Sequence, residues 1–322
     1  MKNSTIRCLF FLSLLLAIPL GFAQGFPLKP IRILVPYASG GGVDIVARTL
    51  SPKLGELLGQ AVVVENRPGG NSNIASELVA KAAPDGYTLL LASPSNATNV
   101  SLYSKMPYDP IKDFSPVVAV GFAPLVLVSH PSLPARTVGE LIALARRRPG
   151  QLSYASGGNG TSQHLAAELM KSISRIQIVH IPYKGAAPAL VDIIGGQVAF
   201  MFNNPLEILQ YVEAKRVRVL GVTSATRAPV LPEVPTFAES GLPHFEATVW
   251  WGLLAPAGTA KEVVNRINAE TNKVLMTTDI QSRFKSLGAQ PSGGSPQQFA
   301  VFLQNEVSKW ATVIKQAGIQ AQ

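Results

Sequence analysis

Two glycine-rich stretches hold most of the chemistry this sequence offers. The first reads Pro36-Tyr37-Ala38-Ser39-Gly40-Gly41-Gly42-Val43-Asp44. Glycine tolerates positive φ and lets the backbone come close to a ligand. Where a helix starts directly behind such a loop, its unpaired N–H groups and partial positive charge suit an anion. Tyr37, Ser39, Gly40, Gly41 and Gly42 are therefore candidate ligand contacts. Asp44 stands where it can charge the first helical turn favourably or meet an amino or hydroxyl group of a ligand; the first role is the simpler. No Gly-Lys-Ser/Thr follows at P-loop spacing, and the third glycine of the dinucleotide fingerprint is absent.

The second stretch is Ser156-Gly157-Gly158-Asn159-Gly160-Thr161-Ser162-Gln163-His164, followed by Leu165, Leu169 and Ile173 on one helical face. Glycines, hydroxyls and an amide at a helix start make another nest of donors. Its candidate contacts are Ser156, Gly158, Asn159, Gly160, Thr161, Gln163 and His164. Ser93, Tyr183 with Lys184, and Asn203 follow other strand-like runs and join the candidates. Trp250 and Trp251 are neighbours on one strand and face opposite ways, so at least one belongs to the core. No catalytic constellation emerges. There is no Gly-x-Ser-x-Gly elbow and no His-Glu-x-x-His, and His130, His164, His180 and His244 do not fall at metal-ligand spacing. His164 reads as a polar first-turn residue. We assign no catalytic residue, no metal and no cofactor, and read the chain as a binder rather than an enzyme.

The elements that must position these loops alternate. Residues 31–36 form a short β-branched strand, and 43–58 a helix with Val46, Leu50, Leu54, Leu57 and Leu58 at helical spacing. Strand, helix and strand follow at 61–65, 73–83 and 88–92, the last two parted by the turn signal Pro84-Asp85-Gly86. A second series begins near Val126, with strands near 152–155, 176–181, 198–202 and 217–222. A proline-rich stretch over 228–243 leads to an apolar strand at 249–254 and helices near 260–276, 279–286 and 296–316. Capping boxes are expected at Thr137, Thr259 and Ser295. Repeated βα units imply mostly parallel sheets flanked by helices. Two such series give an α/β protein of two lobes, with residues 24–124 plus 246–322 in one and 125–245 in the other. The two glycine loops then face each other across a cleft, beyond the carboxyl ends of strands.

Lys2 and Arg7 precede an apolar run over residues 9–22, and Gly21-Phe22-Ala23 offers small residues for cleavage, so residues 1–23 read as a secretory signal. The only cysteine is Cys8, within that leader, which excludes a disulfide framework or thiol chemistry in the mature chain. The net charge of +9 suits anionic ligands. The basic residues are scattered rather than clustered for nucleic acid, and Arg146-Arg147-Arg148 ends a helix where cations are favoured.

Taken in order, several stretches give a resemblance. The loop Tyr37–Asp44 resembles the Pro-Tyr/Phe-x-x-Gly-Gly-x-x-Asp loop of the tripartite tricarboxylate transporter substrate-binding proteins, the Bug-type receptors. Val64-Glu65-Asn66-Arg67-Pro68-Gly69-Gly70, Pro84-Asp85-Gly86-Tyr87-Thr88-Leu89 and Tyr108-Asp109-Pro110-Ile111-Lys112-Asp113-Phe114 continue it. So do Ser156–His164, Pro182-Tyr183-Lys184-Gly185, Leu231-Pro232-Glu233-Val234-Pro235-Thr236 and Leu254-Ala255-Pro256-Ala257-Gly258-Thr259. The resemblance implies a type II-like periplasmic binding protein fold that closes on a small carboxylate held largely by backbone N–H groups. It also implies a monomer that serves membrane permease subunits. A ligand-sensing component of a signalling system would use the same binding chemistry. Family members typically carry an acidic residue near Asn203; Asn203-Asn204 here removes that charge and leads us to expect plain carboxylates over amino-bearing ones.

Overall fold

The computed structural model describes residues 25–243, 245 and 247–317. The expected leader with Cys8, and His244, lie outside the described residues. The first lobe begins with β1 (Ile31–Val35), α1 (Gly42–Leu58), β2 (Val62–Asn66) and α2 (Asn73–Ala80). It continues with β3 (Thr88–Ala92), α3 (Pro94–Leu102) and β4 (Phe114–Pro124). The second lobe holds β5 (Val126–Ser129), α4 (Val138–Arg147), β6 (Ser153–Ser156), α5 (Ser162–Ser174) and β7 (Val179–Pro182). It is completed by α6 (Ala186–Ile194), β8 (Phe200–Asn203), α7 (Pro205–Glu213) and β9 (Arg218–Val222). The chain then re-enters the first sheet with β10 (Thr248–Pro256), followed by α8 (Lys261–Met276), α9 (Thr278–Ser286), β11 (Gln290–Pro291) and α10 (Pro296–Ala317).

Local sequence explains these elements. Val46, Leu50, Leu54 and Leu58 form the buried stripe of α1, and Gly59 ends the helix in the left-handed conformation at φ 73°. Every residue of β3, Thr-Leu-Leu-Leu-Ala, is buried because the strand is central and covered on both faces. Thr137 caps α4 by accepting from the Glu140 N–H at 3.1 Å. Ser295 and Gln298 exchange both bonds of a capping box, at 3.2 and 2.8 Å. The cap expected at Thr259 does not form. Its hydroxyl donates instead to the Pro256 carbonyl at 2.7 Å, closing the turn that precedes α8.

The two sheets have strand orders β11-β4-β10-β3-β1-β2 and β7-β6-β8-β5-β9. Parallel pairing holds where βα units repeat, between β1 and both β2 and β3, and between β6 and both β7 and β8. Elsewhere the sheets are antiparallel, so each is mixed rather than mostly parallel. The reason is connectivity: β4 carries the chain out of the first sheet and β10 brings it back, so these neighbours run in opposite directions. Thr223 ties the crossing strands together. Its N–H donates to the Leu125 carbonyl at 2.9 Å, its hydroxyl oxygen accepts from the Leu125 N–H at 2.8 Å, and the Ala247 carbonyl lies against the same hydroxyl.

Candidate ligand-binding site

The starts of five helices surround one cavity between the lobes. The first lobe contributes Gly41 and Gly42 at the start of α1, and Ser93, Pro94 and Ser95 at the start of α3. The second contributes Thr161, Ser162 and Gln163 from α5, Ala186 from α6, and Asn204 and Glu207 from α7. A helix start presents unpaired N–H groups and a partial positive charge. Five such starts around one space favour an anion there. The cavity is small, about 30 Å³, room for one or two water molecules. The lobes are closed over it. The Thr98 hydroxyl donates to the Gly160 carbonyl at 2.7 Å, the Ala38 N–H to the Lys184 carbonyl at 3.4 Å, and the Gly42 N–H to Glu207 Oε1.

Asp44 shapes the first glycine loop from behind. Its carboxylate accepts from the Gly40 N–H at 2.9 Å, from Arg48 Nε at 3.0 Å and from Asn66 Nδ2 at 2.9 Å. Burial pushes its pKa up, but these bonds outweigh it and hold the carboxyl below its ordinary value. Its oxygens are committed to the loop, and Asp44 is not part of the cavity wall; of its two sequence roles, the positional one is the one seen. Tyr37 does line the cavity, and its hydroxyl donates to Ser95 Oγ at 2.6 Å, with Ser93 Oγ at 3.1 Å. Burial pushes the phenol above its usual pKa, against the hydrogen bonds of those serines, so it stays a neutral hydroxyl.

The second loop is organised the same way. Thr161 caps α5 and donates its hydroxyl to the Gly158 carbonyl at 2.8 Å. His164 Nδ1 accepts from the Gly160 N–H at 2.9 Å, and its ring stacks on His180 at 4.1 Å. Ser156 Oγ lies 2.6 Å from His180 Nε2 and accepts from the Gly158 N–H at 3.1 Å. Burial, with the nearby Lys171 charge, lowers the His164 pKa to about 4, and burial, with the His164 charge, lowers that of His180 to about 3. Both rings are neutral supports for the loop.

Of the candidate contacts, Tyr37, Gly41, Gly42, Ser93, Thr161 and Gln163 therefore meet at one cavity. Ser39, Gly40, Asn159 and Lys184 lie outside its wall, Ser39, Gly40 and Lys184 being exposed at the loop tips. Ser156, Gly158, Gly160 and His164 build the loop behind it. The Tyr183 hydroxyl is turned to Asp192. Asn203 is buried, its Oδ1 accepting from the Asn204 N–H at 2.7 Å, so its neighbour Asn204 faces the cavity instead. Trp250 and Trp251 are both core, and Val249 supplies the apolar wall.

The site also contains a residue that no sequence signal singled out. Glu207, on the first turn of α7, accepts from the Gly42 N–H and from Asn204 Nδ2, the latter at 3.0 Å. Burial raises its pKa to about 7, against the hydrogen bonds from Asn204 and Gly42. Asn203-Asn204 removes an acid at that place in the chain, but Glu207 supplies a carboxyl in the cavity itself.

A family model described as the tripartite tricarboxylate transporter family receptor matches residues 46–319. The chain belongs to this receptor family. It is 43% identical over 299 residues to a protein from the tcbD–tcbE intergenic region of Pseudomonas sp. (strain P51), covering 92% of this chain and 89% of that one. It is 38% identical over 298 residues to BugT of Bordetella pertussis, covering 92% and 91%. Among solved structures, an R. palustris protein with adipate superposes with a TM-score of 0.90 at 37% identity, covering 92% of this chain and all of that one. MatC from Rhodopseudomonas palustris, with bound malate, gives 0.86 at 31% identity, covering 90% of this chain and all of MatC. The tripartite tricarboxylate transporter receptors are solute-binding proteins of two α/β lobes, and this chain shares that architecture.

Proposed function

We propose that this receptor captures a small carboxylate between its lobes in the periplasm and delivers it to the membrane permease subunits of a tripartite tricarboxylate-type transporter. The observation that carries the reading is the convergence of five helix starts, two from one lobe and three from the other, on one cavity between the lobes. An anion at that point is stabilised only when both lobes contribute, which couples binding to closure. Gly41 on one side, with Thr161, Ser162 and Gln163 on the other, holds the carboxylate, the Gly42 N–H being given to Glu207 Oε1. Tyr37, Ser93 and Ser95 present hydroxyls to the rest of the molecule. Adipate and malate in related receptors support the ligand class. The small closed cavity requires the lobes to part for entry, and the crossing strands around Thr223 are where they would bend.

Mass spectrometry of the small molecules released on denaturing freshly purified protein tests this. A stoichiometric carboxylic acid is the expected result; stoichiometric release of an uncharged or purely cationic compound would contradict it.

A further inference from the structure

The cavity is not uniformly positive. Glu207 Oε1 already accepts from Gly42 and from Asn204 Nδ2, which also fixes the Asn204 amide with its Oδ1 turned away from the carboxylate. Two acceptors are left over, Glu207 Oε2 and Asn204 Oδ1. Neither has a hydrogen-bond partner among the described residues. Both side chains line the cavity, and Glu207 and Asn204 are only 5% and 4% exposed. A buried acceptor without a donor is costly, and more so when it is charged. Above pH 7, where Glu207 is ionised, an acid that brings only oxygens to this place leaves that cost standing and adds repulsion between two carboxylates.

We infer that Glu207, with Asn204, is a specificity determinant that selects acids carrying a hydrogen-bond donor, an ammonium or a hydroxyl group, beside the carboxylate. The inference rests on the carboxylate reading above and narrows it. The carboxylate goes to the helix starts of α1 and α5, and the donor goes to the paired acceptors at the start of α7. An ammonium satisfies both acceptors and neutralises the resident charge, whereas a hydroxyl satisfies one. A merely structural Glu207, favouring two helix starts as an acid does at any first turn, would leave ligand preference untouched.

Isothermal titration of the refolded, ligand-free protein at pH 8, where Glu207 is ionised, tests this with series matched on one carbon skeleton: succinate, malate and aspartate; glutarate, 2-hydroxyglutarate and glutamate; propionate, lactate and alanine. In any series that binds, the donor-bearing members should bind at least about tenfold tighter than the plain acid. The Glu207→Gln variant should reduce an ammonium preference to about twofold or less, and a hydroxyl preference by a smaller factor, while the plain acid gains affinity. A plain acid that binds as tightly as its partners overturns the inference, whether or not the variant folds. An unchanged ratio in folded Glu207→Gln overturns it too. Binding by none of the acids removes the carboxylate reading itself, and this inference with it.

Discussion

At the scale of single residues, the groups that matter are those whose burial sets their protonation. Glu207 has its pKa raised from 4.5 to about 7, so between those values the folded protein holds a proton that the unfolded chain has lost. Stability from the neutral carboxyl is fully present below about pH 4.5 and is lost as pH rises through 7, by roughly 3 kcal/mol at pH 8. Its bonded partners, Gly42 and Asn204, do not titrate; Asp44, the nearest acid on α1, is turned to Arg48 and Asn66. The melting temperature of the ligand-free protein should therefore fall by several degrees relative to Glu207→Gln between pH 5 and 8. Parallel curves would refute that assignment. His164 and His180 act in the opposite direction. Their folded pKa values lie below 6.5, so the unfolded chain takes up protons first and stability falls as pH drops from about 6.5 toward 4. His164→Gln should flatten this acid limb in the same melting experiment. His164 was legible in the sequence as a polar first-turn residue, but not that its ring accepts from the Gly160 N–H. Glu207 was not. An acid at the start of a helix is ordinary, and nothing local reveals that residue 207 lies against residue 42.

At the scale of elements, the two glycine loops and their helices follow from spacing and composition alone. The missed elements have physical causes. Helix α3 reads Pro-Ser-Asn-Ala-Thr-Asn-Val-Ser-Leu, with no apolar stripe to give it away. Its polar residues Ser95, Asn96, Thr98 and Asn99 are buried because they face the other lobe and the neighbouring loops rather than solvent. Strand β4 is interrupted by Pro116 and Gly121, which read as turn signals and are tolerated at its irregular pairing with β10. The contact between α3 and the second glycine loop gives a prediction. Gly160 has φ +75°, and a Cβ there would meet Leu102 at 2.2 Å and Thr98 Oγ1 at 2.9 Å across the lobe interface. Gly160→Ala should weaken ligand binding about tenfold or more in a titration, by opposing closure. Gly150→Ala is the control: its φ is +71°, but nothing lies within 4 Å, so it carries the backbone strain alone and should leave affinity unchanged. Equal effects of the two substitutions would show that closure is not involved. Thr137→Ala, which removes the α4 cap far from the cavity, should cost about 1 kcal/mol in denaturant unfolding and nothing in affinity.

At the scale of the whole molecule, two lobes and a cleft were readable as two βα series with facing loops. The mixed sheets were not, because a sequence does not announce which strand returns between β3 and β4. The return of β10 matters for function, since the chain then crosses between the lobes twice, near Leu125 and near Ala247, with Thr223 bonded to both. With the lobes closed, α1 and α3 stand against α5, α6 and α7 around the cavity, so the proposed anion site draws on both lobes. The direct measurement is thermal unfolding of the refolded, ligand-free protein against a panel of small carboxylates, alongside Gly42→Leu. A Cβ at Gly42 would meet Asn204 Nδ2 at 2.7 Å and Glu207 Oε1 at 2.9 Å, so a larger side chain there obstructs the cavity from the α1 side. One or a few acids should stabilise the wild-type protein by about 2.7 kcal/mol at a hundred times their dissociation constant, a rise of several degrees. Folded Gly42→Leu should show no rise. An equal rise in the variant would place the carboxylate elsewhere and contradict the account.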